Sequence, residues 1–181
     1  MPKKNGTDTR PSRPKERDFY KPIKAKLEER LQEKAVNVYL EQTADTNFSE
    51  TLKSAIPHGH EIIFNFLRSS RPDMTGYLTN KYGSKDFIIA EIKLDSLKLE
   101  DIYQLRRYAD LFNAQFAFLV SPQPILEELK RLVSAVPQVL TSANWRQVFV
   151  LIRFDSEKDE LTEWFPKNPF AEDFRWQNYQ G

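Results

Sequence analysis

Asp73, in Arg71-Pro72-Asp73, and the later string Glu91-Ile92-Lys93 bring two carboxylates and one lysine to the ends of two apolar runs. Two carboxylates can share one divalent cation, and without one they repel. Hydrolysis of a phosphodiester needs three things: neutralised non-bridging oxygens, an activated water and a protonated leaving oxygen. One or two Mg2+ ions held by carboxylates supply the first two. On this reading Asp73 and Glu91 are metal ligands, with the carbonyl of Ile92 between Glu91 and Lys93 as a third. Lys93 then stabilises the developing charge or positions the attacking water. The competing reading is a lysine that forms a salt bridge with its neighbouring acids, since short Asp…Glu-x-Lys strings also arise by chance.

The elements that must position these groups follow from local pattern. Phe87 to Lys93 reads as a strand from its isoleucines and its aromatic residue, and alternation puts Glu91 and Lys93 on one face. Asp73 to Thr79 reads as a second strand, and the polar stretch 80–86 as the turn between them. A hairpin folded about Tyr82-Gly83 sets Asp73 opposite Glu91, Ile92 or Lys93, with directly opposed Cβ atoms roughly 5 Å apart. A bulge would move the register by one residue. Beyond Lys93 the pattern turns helical, with Ser96 as the expected cap and Ile102, Leu105, Ala109 and Phe112 as the core stripe. A rotation of about 100° per residue then places Gln104 and Tyr108 on one shoulder, one turn apart, facing the end of the Glu91 strand. Arg106 and Arg107 face the other way, toward solvent. Asp101 falls on the core side of this helix, where it can support the site or simply complement the helix dipole.

The rest of the chain supplies the frame. Residues 1–15 read as a flexible basic arm, 16–155 as one domain, and 156–181 as an aromatic, proline-rich tail packed on it. A helix is expected from Asp18, with Ile23, Leu27 and Leu31 at helical spacing. Strands are expected at 36–40, 61–67, 116–120 and 148–152. A short helix is expected at 48–56, ended by Pro57, and another through Ile125, Leu129, Leu132 and Val133. This order implies an α/β sandwich with a mixed sheet.

Composition narrows the function. The 181 residues are 40% hydrophobic and 13% aromatic, enough for a packed core, and carry no cysteine. Disulfides, thiolate zinc sites and cysteine-ligated iron–sulfur clusters are therefore excluded. No stretch approaches the ~20 apolar residues of a membrane span. The polar, basic N-terminal stretch has no signal-peptide core, so a cytoplasmic protein is expected. Net charge is +1, but residues 1–24 hold eight Lys/Arg against three acids, a basic arm able to touch phosphates. With five glycines a glycine-rich phosphate loop is implausible, and no Ser-His-Asp order occurs. His58-Gly59-His60 lacks a third histidine and reads as a loop.

With these motifs in view, the chain resembles the PD-(D/E)XK nuclease superfamily, in its branch carrying a Gln-xxx-Tyr motif and similar to exonucleases and resolvases. Pro72-Asp73, Glu91-Ile92-Lys93 and Gln104-Leu105-Arg106-Arg107-Tyr108 stand in the order of its proline–aspartate, Glu-x-Lys and Gln-xxx-Tyr motifs, and the likeness spans residues 16–121. The resemblance implies a restriction-endonuclease-like αβββαβ core with a mixed central sheet flanked by helices, Mg2+ or Mn2+ as cofactor, and cleavage of DNA or, in some members, RNA. It implies that Asp73 and Glu91 bind metal, Lys93 serves catalysis, Gln104 steadies the site and Tyr108 supports it. It also implies a first-helix glutamate near the metal, for which Glu16, Glu28 and Glu29 compete. Glu16 is preferred because it precedes Asp18-Phe19-Tyr20-Lys21-Pro22-Ile23-Lys24, an opening similar to that of the family. DNA as partner and a homodimer that addresses two strands follow from the same likeness. An added strand and helix between residues 36 and 56 would be a departure from it. The alternatives are a non-catalytic nuclease-fold module that binds nucleic acid or protein, and an unrelated α/β interaction domain.

Overall fold

The structure is a computed structural model that describes residues 14–141, 147–171 and 176–180. The arm expected at 1–15 thus lies outside the described residues except for its last two.

Helical spacing organises the first element. Ile23, Leu27 and Leu31, with Tyr20, are the buried residues of α1 (Tyr20–Gln32). Pro22 is tolerated there because first-turn N–H groups have no helical partner. A 3-10 turn, Glu16–Phe19, leads in. Asp18 accepts the Lys15 N–H at 2.7 Å, so it closes that turn and does not cap α1.

Among the described residues six strands form one sheet in chain order: β1 (Val38–Gln42), β2 (Met74–Thr79), β3 (Lys85–Ile92), β4 (Phe116–Ser121), β5 (Val148–Asp155) and β6 (Glu160–Phe165). β1, β2 and β3 form an antiparallel meander. β3, β4 and β5 run parallel, and β6 returns antiparallel on β5. Two short helices, α2 (Glu50–Ala55) and α3 (Ile63–Phe66), lie between β1 and β2; α4 (Leu99–Phe112) and α5 (Glu127–Ala135) make the parallel crossovers.

Strand alternation splits the core into two layers. Ile88, Ala90, Ile92, Phe118 and Val120 pack with α1, whereas Phe87, Ile89, Ala117 and Leu119 pack with Ile102, Leu105 and Phe112 of α4 and with α2, α3 and α5. The protein is therefore an α/β fold with a mixed sheet flanked by helices. Among the described residues no helix is long and apolar enough to cross a membrane.

Three further expectations change. The run Glu61–Leu67 is not a strand: i→i−3 bonds from Ile63 to His60, Phe64 to Glu61 and Asn65 to Ile62 wind it into helical turns. Ile63 and Leu67, one turn apart, are buried, while Ile62 and Phe66 are exposed, so helical period outweighs the strand-like composition. The strand and helix expected between residues 36 and 56 are β1, the first strand of the meander, and α2. The stretch read as a tail contributes β6 to the sheet, and beyond it Trp176 packs as a cover, stacked on Phe116 with centroids 5.3 Å apart. Ser96 does not cap α4. Lys98 does, its N–H donating to Asp101 at 2.9 Å, which also gives Asp101 its role.

Among the described residues, Gly76, in mid-strand, is the glycine that close approach requires. A Cβ at that position would meet the Tyr39 carbonyl oxygen at 2.0 Å and Leu40 Cα at 2.8 Å. Gly76→Ala should therefore separate β1 from β2 and destabilise the protein by about 3 kcal/mol, read as a lowered denaturant midpoint.

Candidate functional site

The β2–β3 hairpin pairs Met74 with Ala90 and continues without a shift to Thr79 with Lys85. That register carries Asp73, one residue beyond the ladder, to Glu91. Where the ladder stops, side chains take over its hydrogen bonds. The Ile92 N–H donates to Asp73 Oδ2 at 2.7 Å, and the Asp73 N–H donates to Glu91 Oε1 at 3.2 Å. The peptide edge of Ile92 therefore faces Asp73, and its carbonyl lies on the same edge as its N–H.

Both helix layers reach this strand end. From α1, the Tyr20 hydroxyl contacts Asp73 Oδ1 at 2.9 Å and Glu16 Oε1 at 3.0 Å. From α4, the Gln104 amide donates to Glu91 Oε2 at 2.9 Å, while its carbonyl accepts from Lys93 at 3.1 Å. Lys93 also donates to Glu91 Oε2 at 3.3 Å. Asp73, Glu91, Lys93, Gln104 and Glu16 thus meet in one network. Glu28 and Glu29 do not join it; they pair with Lys24 and Lys26 along α1.

Tyr108 lies beside the network, not in it. Its buried hydroxyl shares a 2.6 Å hydrogen bond with Ser70, so it anchors the loop that leads into Pro72-Asp73. His58 is fully exposed beside Glu61, and no contact joins it to the acids. Three contributors escaped the sequence reading. Tyr20 links two acids, and its only signal was one-turn spacing from Glu16 on a buried stripe. Thr43 fixes the Pro72-Asp73 peptide, its hydroxyl donating to the Pro72 carbonyl at 2.6 Å and its N–H to the Asp73 carbonyl at 2.8 Å. Ser70 supplies the loop anchor, and neither it nor Thr43 has any local signature.

The electrostatics follow from burial. Asp73 is 7% exposed and Glu91 1%. Desolvation pushes Asp73 above the usual carboxylate range, Glu16 adds to this, and the Ile92 N–H, Tyr20 and Lys93 oppose it. Glu91 rises further, by desolvation and then by the charge of Asp73, with Lys93 opposing. Burial pulls Lys93 down, but Glu91, Asp73 and Glu16 outweigh it and hold the ammonium above its ordinary value. Tyr20 is pushed well above the phenol range, first by burial and then by Asp73, so it stays a donor. Its single proton serves one carboxylate at a time. Three carboxylates thus face one ammonium, an excess of two negative charges when all are ionised.

That excess and an all-oxygen donor set fit a hard divalent cation. Asp73, Glu91 and the Ile92 carbonyl are the groups that could hold it. Among the described residues no three His, Cys, Asp or Glu side chains form a ligand cage by themselves. Mg2+ does not require one, since it takes one or two carboxylates and keeps several waters. No family model, curated protein or solved structure matches the chain.

The raised carboxyls set a pH dependence. A carboxyl with a higher pKa folded than unfolded holds extra protons in the native state, so stability is full at low pH and is lost as pH rises through the folded value. In EDTA the melting temperature should fall as pH rises from about 4 to about 8, through both acids up to about pH 6 and through Glu91 alone above it. Glu91→Gln should flatten the fall, and Mn2+ should stabilise more at the upper end than at the lower. A wild-type curve flat across this window would rule out the raised pair.

Proposed function

We propose that the protein is a metal-dependent nuclease that hydrolyses phosphodiester bonds, with DNA as its substrate. One observation carries the reading. Asp73 and Glu91 are interlocked at a strand end with excess negative charge, and a lysine is held beside them by Glu91 and Gln104. The element order α1-β1-β2-β3-α4-β4, with the short helices α2 and α3 inserted between β1 and β2, and the network formed by the Pro72-Asp73, Glu91-Ile92-Lys93 and Gln104 motifs support the likeness to PD-(D/E)XK nucleases and their restriction-endonuclease-like core.

In that role Asp73, Glu91 and the Ile92 carbonyl would hold Mg2+ or Mn2+. The ion, when bound, neutralises phosphate charge and lowers the pKa of a water. Lys93 stays protonated, because the neighbouring acids outweigh its burial, and it stabilises the charge that develops on phosphorus-bound oxygen as water attacks. The bond opposite the attacking oxygen breaks, and the leaving oxygen takes up a proton. Gln104 holds the Glu91–Lys93 pair in register by donating to one and accepting from the other. Tyr20 keeps Asp73 Oδ1 turned toward α1, with Glu16 adding negative charge there. Ordering these groups before substrate arrives is what lets them act without reorganisation.

Incubation with supercoiled, linear and branched DNA and Mg2+ or Mn2+ should give cleavage that EDTA stops. Lys93→Ala and Asp73→Asn should each lower it by about 100-fold or more. Asparagine is the better probe at 73, since Asp73→Ala would also strand the buried Ile92 N–H at a cost of about 1–3 kcal/mol. No cleavage by folded wild type, or equal cleavage by both variants, overturns the reading; binding without cleavage would indicate a non-catalytic nuclease-fold module.

A further inference from the structure

Many of the basic side chains elsewhere are matched by acids: Lys24 by Glu28, Lys26 by Glu29, Arg106 by Asp110, and Lys130 by Glu127 and Glu163. The segment from Asn65 to Arg71 is different. Arg68 donates to Asn65 Oδ1 at 2.9 Å. Arg71 donates to the Thr46 carbonyl, to Asn47 Oδ1 at 3.3 Å and to the Arg68 carbonyl at 3.1 Å. Arg107, from α4, donates to Ser70 Oγ at 2.9 Å and lies over the Tyr108 ring, 4.7 Å from its centroid. All of these partners are neutral. They hold three guanidiniums in place without cancelling their charge, and among the described residues no carboxylate pairs with any of them.

A hollow of about 240 Å³ opens between Asn47, Lys53, Asn65, Arg68 and Arg71. Only Lys53 in this set has an acid partner, Glu50 at 2.6 Å. The volume is below the roughly 300–1,000 Å³ of a small-molecule site but suits a phosphate group with part of its sugar. Large exposed rings lie close in sequence to these charges. Phe66 is 75% exposed, and Tyr103, one turn before Arg107, is 51% exposed. The segment runs through Pro72 straight into Asp73, and Tyr103 adjoins Gln104, so this surface borders the carboxylate cluster.

Fixed guanidiniums attract any phosphate backbone. An exposed ring is useful only to a base whose face is open, and a duplex keeps its base faces within its own stack. We propose that this surface binds single-stranded nucleic acid. Arg68, Arg71 and Arg107 hold backbone phosphates, and Phe66 stacks on an unpaired base next to the bond to be cut. The position of the cut rests on the nuclease reading; the binding does not.

The test measures binding and cleavage separately. Full-length protein in EDTA, where no cut can occur, is titrated against a labelled oligothymidylate of about 16 nucleotides and against a blunt duplex of equal length. The single strand should bind tighter. Phe66→Ala should weaken single-strand binding roughly five- to hundredfold and leave duplex binding alone, and Phe66→Trp should retain it. Arg68→Gln and Arg107→Gln should each reduce the slope of log affinity against log salt by about 0.7. Equal or tighter duplex binding, an indifferent Phe66→Ala, or no binding to either probe overturns the proposal. The expected binding pattern without cleavage after Mn2+ addition upholds it and removes the nuclease reading. Cleavage without single-strand preference does the reverse.

Discussion

At the end of the β2–β3 hairpin two carboxylates replace the missing rungs of a β-ladder. Asp73 accepts the Ile92 N–H, and Glu91 accepts the Asp73 N–H, so each strand's last main-chain donor is satisfied by the other strand's acid. Buried N–H groups must find an acceptor. The geometry of the candidate site and the way the sheet ends are therefore one constraint. A change that relaxes the acids also loosens the strand ends, and one that shifts the register separates the acids.

Charge follows from that placement. Both acids are buried, so their ionised forms are costly, and Lys93 relieves them only in part. The remaining groups divide between the two helix layers. Glu16 and Tyr20 approach from the α1 side, and Gln104 approaches from the α4 side. The cluster stands where the two packing layers of the sheet meet, beyond the carboxyl end of β3, the place in open α/β sheets where ligands commonly bind. Thr43 from the end of β1 and Ser70 under Tyr108 hold the loop that delivers Asp73.

Much of this is legible in the sequence. The hairpin was readable because Asp73 and Glu91 flank a polar turn between two apolar runs, and the Met74–Ala90 register took the first of the expected alternatives. The shoulder position of Gln104 followed from the Leu105 stripe. The misreadings also have a physical cause. Glu61–Leu67 is short, apolar and rich in isoleucine and phenylalanine, so composition favoured a strand, while burial of Ile63 and Leu67 on one side made it helical. Leu161 and Trp164, read as part of a packed tail, instead belong to β6, which pairs with β5.

Local order of residues thus determined which groups could do chemistry and which face of their own element they occupy, because strand and helix periods are properties of the backbone alone. Tertiary structure decided which glutamate of the first helical segment joins the acids, that Tyr20 bridges two of them, and that Tyr108 grips Ser70 and not the cluster. Those outcomes depend on how α1 and α4 are docked against the sheet. Docking is set by the summed packing of both cores, and no single stretch of sequence carries it.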